Sequence, residues 1–167
     1  MKKIKILFLL LSLPFFCYSQ LVGLGGQYSQ GADGQFVANL SFPTYHESNN
    51  LKLLIFSGLE YTTSGGAKMS GLNLKPIQAA TYFGDDFYNN NPVTVLAGVD
   101  AGYLFDFRNG RKDGIVFTPN LYLDYKVFFV RTGYDFDVSN GRNQFFIRAG
   151  IGIGLGTFKI LNGTKIR

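Results

Sequence analysis

Cysteine, histidine and tryptophan are almost missing from this chain, with one, one and none among 167 residues, and only 16% of the residues are charged. The one cysteine, Cys17, lies within the first twenty residues, so the remainder can build neither a disulfide scaffold nor a thiolate metal site. Long apolar runs are missing too: none reaches the ~20 residues that a membrane-spanning helix needs. No stretch sustains a helical period, which sets aside helical bundles, coiled coils and βαβ sheets. Charge falls well below the roughly 25% of a typical soluble domain. What the chain has instead is glycine, 21 residues of it, and aromatic rings, 17 Phe and 10 Tyr. Few charges with many aromatics and glycines fit a β-rich protein whose surface does not all face water.

The amino terminus has its own pattern. Lys2, Lys3 and Lys5 precede an apolar run from Ile6 to Phe16, the charge and length of a signal peptide rather than a span. Ser19 is small enough for the position before cleavage, which predicts a mature chain starting at Gln20. Lipidation at Cys17 is the alternative, but Phe15 and Phe16 before it make a poor lipobox. Loss of three lysines from the 16 basic residues, against 11 acidic ones, drops the net charge from +5 to about +2. The basic balance is thus largely a targeting feature, and no later Lys/Arg run can track phosphates, so nucleic acid is excluded as a partner.

From residue 21 the apolar residues recur with period two, the mark of strands with one apolar face. Eight segments are expected: Leu21–Gln30, Gln35–Tyr45, Leu51–Thr63, a weaker Leu74–Asp85, Val93–Phe107, Ile115–Tyr125, Val127–Val138 and Gln144–Phe158. Turn-forming residues separate them, such as Gly31-Ala32-Asp33-Gly34, Ser64-Gly65-Gly66, Asn109-Gly110 and Asn140-Gly141. Pro76 and Pro119 fall inside segments and predict bulges, because proline cannot donate to a ladder. Eight antiparallel segments with short turns predict an all-β, eight-stranded, antiparallel up-and-down barrel. Residues 1–19 are then a signal peptide, 20–158 the barrel and 159–167 a short tail.

Two such barrels differ in which face is wet. A soluble lipocalin-like barrel is apolar inside, and a transmembrane β-barrel is apolar outside. In the fifth segment Val93, Val95, Ala97, Val99, Ala101, Tyr103, Phe105 and Phe107 share one face, while Thr94, Leu96, Gly98, Asp100, Gly102 and Leu104 share the other. In the eighth, Arg148 stands among Gly150, Gly152 and Gly154. A wet exterior would carry more Lys and Glu and fewer glycines, so the wholly apolar face is expected to meet lipid. On signal peptide, strand number, dyad alternation and aromatic strand ends, the chain resembles the small eight-stranded outer-membrane barrels of the OmpA-transmembrane and OmpX kind. It departs from them in ending on Lys165-Ile166-Arg167 rather than on an aromatic residue; Phe158 is the nearest substitute. The resemblance implies an outer-membrane location, both termini periplasmic, and outer-membrane lipid, lipopolysaccharide and the barrel-assembly machinery as partners. Connections Gly31–Gly34, Ser64–Asn73, Arg108–Gly114 and Ser139–Asn143 would then face outward, and Arg108, Arg111 and Lys112 would make the third a basic rim.

Period two also turns Glu60, Asp100, Arg131, Asp135 and Arg148 inward, where buried charges must pair. They are expected to form an ion-pair network that plugs the lumen rather than lining an open pore, because eight strands enclose only enough room for side chains. One motif points to catalysis. His46-Glu47-Ser48-Asn49, with Glu60 twelve residues after the serine, resembles the His-x-Ser-Asn motif of outer-membrane lipid A deacylases. That resemblance implies Ser48 as nucleophile, His46 as base and Glu60 as its orienter. An extended third strand would place Glu60 about 40 Å along the chain from Ser48, so a plain turn is the expectation. The carboxylate pairs Asp85-Asp86 and Asp135/Asp137 lack histidine partners, and no cofactor or metal is expected.

Overall fold

A computed structural model describes residues 21–46, 52–83 and 93–153. It is all-β, with strands β1 (Leu21–Ser29), β2 (Gln35–His46), β3 (Leu53–Thr62), β4 (Gly71–Phe83), β5 (Val93–Phe105), β6 (Gly114–Tyr125), β7 (Phe128–Asp137) and β8 (Arg142–Ile153). Each strand pairs antiparallel with the next, and β1 pairs with β8 from Val22↔Ile153 to Ser29↔Phe146, which closes the barrel in plain up-and-down order. Among the described residues, closure leaves no unpaired edge strand.

Alternation sets the two faces, as the sequence predicts. Outward stand Leu24, Phe36, Val99, Phe117, Leu121, Ile147 and Ile151, all exposed. Aromatic rings concentrate toward the strand ends: Tyr28, Phe36, Tyr61 and Phe136 at one end, Phe83, Tyr125 and Phe128 at the other. Inward stand Gln27, Gln35, Glu60, Lys75, Asp100, Thr118, Arg131, Gln144 and Arg148, all buried. At Gly25 and Gly150, which pair across the β1–β8 seam, the lumen face lacks even a Cβ. A Cβ on Gly25 would sit 2.3 Å from the Ala149 carbonyl oxygen, and one on Gly150 2.2 Å from that of Leu24. Glycine is required there by close backbone approach, which adds to the competition for lumen volume expected from the sequence.

The weak fourth segment has a physical cause. Phe56↔Gln78 gives way to Gly58↔Lys75 on one side of β4, and Leu74↔Tyr103 to Ile77↔Ala101 on the other. One extra residue in β4 at Pro76–Ile77 therefore faces two regular neighbours, a β-bulge. Before it Gly71, Asn73 and Lys75 point inward; after it Gln78 and Tyr82 do, with Pro76 and Ile77 both outward. Ser57 Oγ donates to the Pro76 carbonyl at 2.7 Å, which uses an acceptor the bulge frees. Pro119 makes no bulge, contrary to expectation: β6 runs in unbroken register with β5 through Val99↔Pro119. A further bulge falls at Thr44 in β2, where the register passes from Pro43↔Phe56 to Tyr45↔Ile55.

Some predicted ends move. β5 stops at Phe105 rather than Phe107, because Asp106 is drawn into a cluster of arginines. β4 begins at Gly71, so Asn73 belongs to a strand and not to a loop. The predicted continuation of β8 to Phe158, the signal segment 1–19, the tail 159–167 and Asp85-Asp86 lie outside the described residues.

Candidate functional site

The lumen is the chemically distinctive part of the molecule. Along β5 the inward residues Leu96, Asp100 and Leu104 mark three levels. Leu96 packs with Leu54, Phe56 and Tyr82, and Leu104 with Met69 and Val116, so an apolar cluster lies on each side of Asp100. Between them is a layer of charge. Glu60 on β3 accepts from Lys75 Nζ at 2.7 Å, from Arg148 Nη1 and Nη2 at 2.7 and 2.9 Å, and from Arg131 Nη1 at 3.5 Å. Asp100 on β5 accepts from Lys75 Nζ at 3.0 Å, from Arg131 Nη2, and from Asn120 Nδ2 at 3.2 Å. Arg148 Nε and Nη2 also donate to Gln27 Oε1 at 3.0 and 2.6 Å.

Four of the five predicted inward charges thus meet in one network. Arg131 and Arg148 are direct register partners on β7 and β8. Two guanidinium groups side by side repel, and the arrangement holds because Glu60 bridges both while Asp100 takes Arg131 from the far side. Asp135, the fifth, lines a small cavity of about 20 Å³ together with Glu60, but its carboxylate accepts from Thr118 Oγ1 at 2.6 Å rather than from an arginine. Lys75 was not legible in the sequence, since the bulge that follows it reverses the alternation by which inward residues are counted.

A second ionic cluster ties the connections at the end of the barrel where β1 meets β2. Arg108 Nε and Nη2 donate to Asp106 at 2.8 and 2.6 Å, and its Nη1 and Nη2 donate to the carbonyls of Ala67 and Lys68. Arg142 Nη1 donates to Asp106 at 2.8 Å, its Nε to Asp137 at 2.6 Å, and its Nη2 to the Lys112 carbonyl at 2.7 Å. Burial pushes the Asp106 carboxyl up, but the hydrogen bonds from Arg108 and Arg142 outweigh it and hold the group below the usual carboxylate range. The bond to Asp106 raises the Arg108 guanidinium above its ordinary value, against a smaller opposing effect of burial. Arg108 is therefore a clasp between loops and no part of a basic rim; Arg111 and Lys112 remain exposed as expected. Asp137, which the sequence offered as one of a carboxylate pair, is buried and bonded to Arg142. Under this clasp the β3–β4 connection folds inward: Ala67, Met69 and Ser70 are buried, and the Met69 N–H donates to Gln144 Oε1 at 3.1 Å.

On the other side of the charge layer lies a lumen cavity of about 70 Å³. The layer meets it through Asp100 and Arg131.

Of the deacylase-like residues, His46 ends β2 opposite Leu54, while its side chain and Ser48 fall outside the described residues. Glu60 stands well up β3, both of its oxygens engaged by the cations of the lumen. Among the described residues no three His, Cys, Asp or Glu side chains gather as metal ligands. No family model, no curated protein and no solved structure matches the chain.

Proposed function

We propose that this protein is a small outer-membrane β-barrel whose lumen is filled and locked by side chains, with a structural or surface-interaction role rather than catalysis or open conduction. The observation that carries this reading is the inversion of the two faces. The exterior presents aliphatic side chains with aromatic rings toward both ends, and the interior holds the ion pairs. Water rewards the opposite arrangement: among the described residues some 27 large apolar side chains stand exposed, whereas a soluble monomer rarely shows apolar patches beyond a few hundred Å². A bilayer core removes that cost and favours aromatic girdles at the headgroups. The lipocalin-like alternative would need the reverse.

On this reading a signal peptide is cleaved before Gln20, one residue ahead of β1, and the chain reaches the outer membrane through the barrel-assembly machinery to lie among lipid and lipopolysaccharide. The connections tied by Arg108 and Arg142 face outward. The charge layer, with apolar clusters on both sides, favours a plug over a pore. Lipid A hydrolysis is the second reading; it would require Glu60 to orient His46, and its present partners are Lys75, Arg131 and Arg148.

Cell fractionation with a carbonate wash, followed by gels of boiled and unboiled samples, tests the proposal. The protein is expected in the outer-membrane pellet, migrating differently before and after boiling. Recovery in the soluble fraction with no heat-dependent shift would overturn it.

A further inference from the structure

We propose that the β3–β4 connection, residues 63–70, is a latched lid over the end of the barrel where β1 meets β2, with Met69 as its stopper and Arg108 as its latch. The lid opens the compartment next to the charge layer while the barrel itself stays closed. Ala67, Met69 and Ser70 are buried in the mouth, and Lys68 among them is exposed. Beneath lies the small cavity, lined by Met69 and Ser70 from the lid and by Glu60, Asp135 and Gln144 from the strands.

The far half of the connection belongs to no strand. Among the described residues, four hydrogen bonds with two side chains join Ala67, Lys68 and Met69 to other elements. Arg108 Nη1 and Nη2 donate to the carbonyls of Ala67 and Lys68. Gln144 accepts from the Met69 N–H at 3.1 Å and donates to the Met69 carbonyl at 3.5 Å. Water can replace each of these bonds once the segment lifts. The apolar hold is as small. Ala67 and Met69 are the two apolar side chains of the connection, and Met69 is seated against Leu104 and Val116. A segment with few apolar contacts, tied by side chains alone, opens before the ladder around it.

The near end is built differently. The Asp33 N–H donates to the Gly65 carbonyl at 2.7 Å and Gln35 Nε2 to that of Thr63 at 2.6 Å, which pins this end to the β1–β2 side of the mouth. Gly66 follows with φ +76° and open space where a Cβ would stand, and Gly71 ends the segment with φ +127°. Both angles lie where glycine is favoured, and the two glycines bracket the moving part as hinges. Arg108 is the latch because it joins the lid to the second ionic cluster: Asp106 fixes its guanidinium, and Arg142 holds Asp106 in turn.

Met69 is the one methionine besides Met1, so its thioether reports opening. Hydrogen peroxide adds one oxygen to the sulfur and is reduced to water as its O–O bond breaks. The purified, folded chain is treated with peroxide, and mass spectrometry of the peptide containing Met69 gives the oxidation rate. The rate should be about tenfold below that of the urea-unfolded chain, and nearly flat in urea below the unfolding transition, because the opening is local. Arg108→Gln should raise it about fivefold with the circular dichroism of the sheet unchanged. Arg108→Lys keeps the charge but not the fork that reaches two carbonyls, and should raise it about twofold. Arg111→Gln, at an exposed neighbour, should leave it unchanged. A sulfoxide is too polar for the seat against Leu104 and Val116, so the oxidised chain should also lose hydrogen-exchange protection at the Met69 amide. A rate that climbs with urea in step with global unfolding would mean that the lid never lifts alone. An unchanged rate in both Arg108 variants, or an equal rise in Arg111→Gln, would deny the latch. A Met69 amide still protected after oxidation would deny the stopper. Each of these results would overturn the proposal, and none depends on what surrounds the barrel.

Discussion

Glu60 carries more of the lumen than any other single side chain, since three cations converge on its two oxygens. Removing one partner of a buried pair strands the other, which typically costs about 3–5 kcal/mol. The two obvious substitutions should therefore be unequal. Glu60→Gln removes the charge that Lys75, Arg131 and Arg148 share and replaces one acceptor oxygen by an NH₂ facing cations, and should cost the full amount. Arg148→Met leaves Glu60 with Lys75 and Arg131, and should fall at the lower end of that range. The double variant should be more stable than the sum of the two losses requires by about 1–3 kcal/mol. Urea unfolding from lipid vesicles measures all three, and strict additivity would show that the pair is not coupled. The need for such partners was legible from the sequence, because period two put Arg131 and Arg148 on one face of neighbouring strands. Lys75 was not, and neither was the inward turn of Arg108: a loop arginine looks solvated until the carbonyls of a distant loop, those of Ala67 and Lys68, are known to face it.

At the scale of elements, β4 and the loop clasp account for most of what the sequence concealed. The fifth strand alternates without interruption and was readable residue by residue, whereas β4 changes phase at Pro76–Ile77, so that two correct half-patterns add to a weak whole. Deleting Ile77 would remove the extra residue and join the two halves in one phase, with Lys75 and the Gln78–Tyr82 set all still inward. The expected result is a barrel that still folds, seen as an unboiled gel species, whereas deleting Ala101 from the regular β5 would put one half of that strand on the wrong face and abolish that species. The clasp predicts a pH dependence. The Asp106 carboxyl is held below its ordinary value in the folded protein, so its contribution is present above the unfolded value of about 4 and is lost as pH falls through the lower folded value. Protection of the amide hydrogens in the connections joined by Arg108 and Arg142, relative to intrinsic exchange, should therefore fall below about pH 4. In Asp106→Asn protection should already be low at pH 7 and change less with acid. A loss of protection in acid of equal size in both proteins would assign it to another group.

The whole molecule is defined by which face of the sheet is apolar, and that was the most legible feature, because it is written in every strand and no single residue decides it. Closure and strand order followed from the short turns and from β1 finding β8. What periodicity alone does not supply is the surrounding solvent, and two neighbouring positions on β5 can report it. Val99 is 48% exposed at the middle of the strand, on the apolar exterior. Gly98 is on the other face, where an added Cβ would meet the Ala79 carbonyl oxygen at 2.6 Å and the Ala80 Cβ at 2.9 Å. Gly98→Arg should fail in any medium, since it forces a long side chain against a neighbouring strand. Val99→Arg separates the solvents. Facing water, it would be nearly neutral. Facing the bilayer midplane, it should cost about 2–4 kcal/mol and reduce insertion. Folding yields into phosphatidylcholine vesicles, with unfolding midpoints in urea for the fraction that inserts, give both quantities. A Val99→Arg chain that inserts and resists urea as well as the parent would mean that this face does not meet lipid, and the outer-membrane reading would fall with it.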